Sequence, residues 1–235
     1  MNRSLFRNGG FRSLWLGQLV SIFGDRLHYL AILALLVERA HDPRNPAPEL
    51  ALVPLVSFLP TILVGPLAGA LVDGWDTRRV LVVSDFLRGC IVLLMIPAVG
   101  LGGLPAAFVM VFLLYLANTF FLPARSAILP DLVEPEDLVQ ANSLATLAGV
   151  IATIAGAALG GLLVERAGWR WGLGFDAITY FVSVLFLAAL RPRPREPRDR
   201  PASYGGIYQA LARDVKEGAR VTLGSRAVFG PILAL

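Results

Sequence analysis

The sequence predicts an all-α membrane protein of six transmembrane helices, and three features of the chain carry that prediction. Hydrophobic residues make up 56% of the 235 residues and charged residues 16%, where ordinary soluble domains carry about 25% charged residues. The apolar residues are gathered into blocks of the roughly 20-residue length that a helix needs to cross a bilayer, and mean hydropathy is +0.66. Arginines and lysines collect on alternate sides of these blocks. A soluble core built from this chain could not enclose so much apolar surface.

The blocks follow in order. The first, 14–37, is predicted as a span although Asp25, Arg26 and His28 interrupt it and lower its score in a plain hydropathy window. Residues 50–72 are free of charge for 23 residues, about 34 Å of helix. The third span, 80–100, contains Asp85 and Arg88, three apart and able to pair on one helical face. Residues 104–122 and 141–164 are charge-free, and 171–190 contains only Asp176, expected near the outer end in partial hydration. A basic stretch followed by an apolar one also describes a signal peptide, but no small-residue cleavage site follows, so an uncleaved first span is expected.

Placing the N-terminus in the cytoplasm of a cell (plasma or inner) membrane puts fifteen Arg and Lys residues inside and four outside, as the positive-inside rule demands. The net charge of +4 then reports topology and gives no reason to expect nucleic acid. Cys90 stands alone, which excludes an intrachain disulfide and a multi-cysteine metal site. No cofactor is implied. Beyond the six-helix domain (1–190), the segment 191–225 opens Pro- and Arg-rich, as a cytoplasmic linker does. It continues with Ile207, Leu211, Val215 and Ala219 on one face, the spacing of an amphipathic helix on the inner membrane surface. Residues 226–235 are predicted as the start of a seventh span, so the chain reads as the N-terminal half of a longer one.

A weak internal repeat relates the ends of spans two and five. Gly69-Ala-Leu-Val-Asp73 precedes Trp75 and Arg78; Gly161-Leu-Leu-Val-Glu165 precedes Trp169 and Arg170. The two copies fall on opposite sides of the membrane, as inverted three-helix repeats require.

Several side chains are candidates for function. Gln18, Ser21, Asp25 and His28 share one face of the first span. A carboxylate at the depth of Asp25 must face the bundle interior or a wet cavity. There it binds substrate or exchanges a proton, or it forms a structural ion pair with Arg26 or a charge on another helix. His28 is expected to share that relay or to make a plain hydrogen bond. Asn118 joins Tyr115 and Arg125 in a sparse polar stripe on the fourth span. Ala145, Gly149, Ala152, Gly156 and Gly160 line one face of the fifth, a seam for close helix packing. No converging nucleophile or metal set marks an enzyme.

The segment Gly69-Ala-Leu-Val-Asp73-Gly-Trp-Asp-Thr-Arg78-Arg79 resembles the signature loop between helices two and three of the major facilitator superfamily. Gly69, Asp73 and Arg78 match its pattern; Gly74, Asp76 and Thr77 depart from it. Leu122-Pro-Ala-Arg125-Ser-Ala-Ile-Leu-Pro130-Asp-Leu-Val133, followed by Ala141-Asn142-Ser143-Leu144, is similar to the loop between helices four and five of the macrolide-efflux and enterobactin-exporter branch. Gly156-Ala-Ala-Leu-Gly160-Gly161 is similar to the antiporter motif of helix five, with Ala157 in place of its proline. The resemblance implies alternating access, with a signature loop of Gly69, Asp73, Arg78 and Arg79 latching a second six-helix domain. It places Asp25 in the cavity, where the polar stripes make Gln18, His28 and Asn118 further candidates, and the helix-five packing motif is taken as Gly149, Gly156, Gly160 and Gly161. The expected activity is efflux of a drug-like or siderophore-like small molecule, coupled to protons by antiport at Asp25. The missing C-terminal half or a second copy is the expected partner. A non-transporting membrane scaffold with the same fold is the alternative.

Overall fold

The structure is a computed structural model and describes residues 3–42 and 44–192. The predicted linker from 193 onward, the amphipathic helix and the start of a seventh span lie outside the described residues. A short helix α1 (Arg3–Arg7) leads into α2 (Gly9–Arg39), whose N-cap Asn8 accepts from Gly10 N and Phe11 N. Asn8 Nδ2 also donates to the Leu132 carbonyl at 2.5 Å, tying the start of the chain to the turn that follows the fourth span. Then come α3 (Ala47–Asp73), α4 (Thr77–Ile128), α5 (Leu138–Ala167) and α6 (Trp169–Ala188). Short 3₁₀ turns at Leu129–Asp131 and Pro135–Asp137 carry the chain from α4 to α5.

Among the described residues five helices are apolar enough to cross a membrane, yet they make six spans. α4 has 52 residues, about 78 Å, more than twice a hydrocarbon core of roughly 30 Å. Gly103 breaks it at φ 62° and ψ −148°, a conformation that only glycine adopts readily. The halves 77–102 and 104–128 are the third and fourth spans. The first span scores better than expected: its best window in α2 reaches a mean hydropathy of 1.6, because the charges occupy little of a 31-residue helix.

The packing has the symmetry of two three-helix repeats. α2, the first span, lies against α5 and α6. α3 lies against the second half of α4, where Thr61 Oγ1 meets Thr119 Oγ1 at 3.4 Å and Trp75 stacks on Phe120. Span one on span five is thus matched by span four on span two, and the third span packs on the sixth through Phe86 and Phe181.

Close approach of α2 and α5 depends on the small-residue seam. A Cβ at Gly156 would sit 2.6 Å from the Phe23 carbonyl, and one at Gly160 3.3 Å from Leu27 Cα; Gly149 faces Ile22. Gly161 is not part of the seam, since a Cβ there meets nothing within 4 Å. Successive helical residues point about 100° apart, so the Gly160-Gly161 pair cannot share one face.

Two apolar clusters fill the interior. One includes Ile32, Leu35, Met95, Leu114 and Leu173; the other includes Phe11, Leu14, Leu81, Ile128 and Leu187. Where they meet, α2, α4 and α6 bring polar and charged side chains together in a buried belt.

Candidate functional site

The belt joins three helices. In α4, Arg88 pairs with Asp85 one turn earlier, and both are buried. Asp85 Oδ2 accepts from Ser183 Oγ of α6 at 2.6 Å. Arg88 Nη1 donates to Asn118 Oδ1 at 3.1 Å, linking the two halves of α4. The guanidinium lies between the rings of Phe121, at 4.2 Å, and Tyr180, at 4.7 Å. A buried ion pair survives desolvation only when its remaining donors and acceptors are also met; here an amide, a hydroxyl and two aromatic faces do most of that.

Asp25 and His28 enter from α2. Tyr180 Oη donates to Asp25 Oδ1 at 2.6 Å, so a phenol on α6, and not Arg26, makes the closest described contact of this carboxylate. His28 Nδ1 lies 3.1 Å from Asp176 Oδ2, with 4% and 0% of these side chains exposed. Asp176 is therefore sealed inside the bundle, contrary to the expected hydration. The reason is Gly24: a Cβ there would stand 2.3 Å from Asp176 Oδ1 and 1.8 Å from Thr179 Oγ1. The bare backbone lets α6 press its carboxylate against α2.

A cavity of about 180 Å³ opens onto this network. It is lined by Asp25, Arg26, His28, Arg88, Asn118 and three tyrosines, Tyr29, Tyr115 and Tyr180. Asp25 is half-buried at its wall and Arg26 is exposed. The arrangement can hold a small polar ligand between one carboxylate and one or two guanidiniums, with aromatic faces around it.

Not every predicted member is present. Gln18 is buried but belongs to a second cavity with Trp15, Arg125 and Asn142, two turns, about 10 Å, from Asp25. In the signature loop, Gly69 makes no close helix contact, because a Cβ there would meet nothing within 4 Å. Asp73 is exposed at the end of α3. Arg78 reaches the Ala188 carbonyl at the C-terminus of α6, where a cation meets the negative end of the helix dipole. Arg79 pairs with Asp76 at 3.3 Å, and Asp76 caps α4 by accepting from Arg79 N. The loop is thus fastened to this six-helix unit by its arginines and leaves Asp73 free to face outward.

Comparison with known proteins agrees with this architecture. The chain is 29% identical over 219 residues to the uncharacterised MFS-type transporter YfiS of Bacillus subtilis (strain 168), covering 93% of this chain and 50% of that protein. It is 30% identical over 181 residues to the putative bacilysin exporter BacE of Bacillus amyloliquefaciens, covering 76% and 43%. A crystal structure of the peptide transporter POT in complex with sulfate shares the fold, with TM-score 0.60 at 17% identity, over 94% of this chain and 48% of that one. The chain spans about half the length of the relatives it matches. The model of the family described as Major Facilitator Superfamily matches residues 14–234, and with nearly the whole sequence inside that match the chain is a multi-pass membrane protein belonging to the superfamily.

Proposed function

We propose that this six-helix unit is the N-terminal half of an efflux permease that works by alternating access. The observation that carries the reading is Asp25, a half-buried carboxylate facing a polar cavity between two apolar clusters. An ionisable group at that depth that faces a cavity is a functional candidate by default. The relative named as an exporter supports the outward direction. The cargo is a drug-like or siderophore-like small molecule, exchanged for an inward-moving cation, a proton on the sequence expectation. Asp25 is the carboxylate through which that exchange runs.

In this reading the N-terminus is cytoplasmic and the unit works against a second six-helix domain or a second copy. Asp73 meets a helix end of that partner in one state, while Arg78 and Arg79 anchor the loop to α6 and α4. The test is an efflux assay in everted membrane vesicles with the transport-competent protein, using a fluorescent drug and an imposed pH gradient. Asp25→Asn abolishes gradient-driven export while the protein remains folded in the membrane. Gradient-dependent export at the unaltered rate would refute the role of Asp25.

A further inference from the structure

We propose that Asp25, His28 and Asp176 form a binding site for a divalent transition-metal cation at the floor of the cavity. Each residue offers one ligand atom, and these atoms lie within 4.8 Å of one another. His28 Nδ1 and Asp176 Oδ2 are 3.1 Å apart, yet neither makes a hydrogen bond, and His28 Nε2 makes none either. A ring nitrogen and a carboxylate oxygen that adjoin without hydrogen-bond alignment stand as two ligands of one ion stand. Metal–ligand bonds of about 2.0–2.2 Å place neighbouring ligand atoms roughly 3–3.5 Å apart. Asp25, half-buried at the cavity wall, supplies the third ligand atom, within 4.8 Å of the other two.

Three further features fit an ion. Ligating carboxylates are commonly held by outer hydrogen bonds. Tyr180 Oη holds Asp25 at 2.6 Å, and Thr179 Oγ1 lies 3.3 Å from Asp176 Oδ1. Gly24 makes the cradle, since any side chain there would displace Asp176 and Thr179. The donor set also matches: Arg88 is taken up by Asp85, which leaves the oxygens of Asp25 and Asp176 beside the His28 imidazole to be offered to one cation. One imidazole with two carboxylates suits zinc, manganese, iron or cobalt better than it suits an alkali or alkaline-earth cation. The open side faces the cavity, where a water or a metal-binding cargo group completes the shell. The site rests on geometry alone and holds whatever the permease carries.

The experiment uses the purified full chain in detergent micelles. Zn²⁺ is titrated by calorimetry, Co²⁺ binding is followed by visible absorption, and the Zn²⁺-loaded chain is studied by X-ray absorption. Expected are one ion per chain, displacement of Co²⁺ by Zn²⁺, and a shell with one imidazole and carboxylate oxygens. His28→Gln and Asp176→Asn each weaken binding at least tenfold. His41→Gln, which alters the exposed His41–Glu49 pair, leaves binding unchanged. If Asp176→Asn fails to fold, the shell of the unaltered chain still decides. No saturable binding by that chain, a shell without imidazole, or loss of binding in His41→Gln alone overturns the site. Those outcomes leave the export reading standing, because efflux is measured separately.

Discussion

Arg88 and Asp85 allow a sharp test of how the belt is held together. Replacing one member of a buried ion pair strands the other charge and costs about 3–5 kcal/mol, whereas replacing both with apolar residues is often neutral or stabilising. Asp85→Leu leaves Arg88 with Asn118 and two aromatic faces, and it takes the acceptor from Ser183. Arg88→Met leaves Asp85 with Ser183 alone. If the sites acted independently, the double variant would lose roughly 6–10 kcal/mol. In the double variant only the neutral partners Ser183 and Asn118 lose their bonds, and transmembrane hydrogen bonds average about 0.6 kcal/mol each. The double variant is therefore expected to lose about 1–3 kcal/mol, which makes it more stable than either single change. The assay is unfolding in mixed micelles with increasing dodecyl sulfate, followed by far-UV circular dichroism. A double variant whose loss equals the sum of the two single losses would refute the pairing.

Two further outcomes follow from the geometry. Gly156→Ala pushes a methyl against the Phe23 backbone carbonyl and should cost about 1–3 kcal/mol as overpacking; Gly161→Ala and Gly69→Ala, which meet open space, should stay within about 0.5 kcal/mol, all three read by thermal unfolding. In the transport-competent protein, Asp73→Asn should shift the balance between inward- and outward-open states. With Cys90 replaced and a cysteine introduced at Asn118, maleimide labelling from the cytoplasmic side should change in rate, and an unchanged rate counts against the latch.

What was legible in the sequence was local along the chain. The spans follow from hydropathy because the lipid demands long apolar stretches, and the Asp85–Arg88 pair follows from a three-residue spacing on one helix. The third and fourth spans were separable because Gly103 lies between two apolar blocks. The partners on α6 were not legible. Tyr180 meets Asp25 across 155 residues and Ser183 meets Asp85 across 98, and such contacts depend on helix rotation and approach distance, neither of which one helix encodes. Distance from the span's end puts Asp176 near water, whereas its burial depends on Gly24, a residue on another helix. Gln18 shares a stripe with Asp25, but a stripe fixes direction and not depth, and two turns put it in a different cavity.

Gly24 and the carboxylate it admits also bear on how the protein enters the bilayer during synthesis. A charged residue at the centre of an inserting helix costs about 2.5–3.5 kcal/mol. The third span carries its own counter-ion, since Asp85 and Arg88 pair within a turn, so it can leave the translocon already matched. The sixth span gives Asp176 only a hydroxyl, from Thr179, and the imidazole beside its carboxylate, His28, comes from the first span. Insertion of the sixth span is thereby tied to the presence of the first span, through a slot that only glycine leaves open. Filling that slot should strand the sixth span at the translocon before any fault in transport appears.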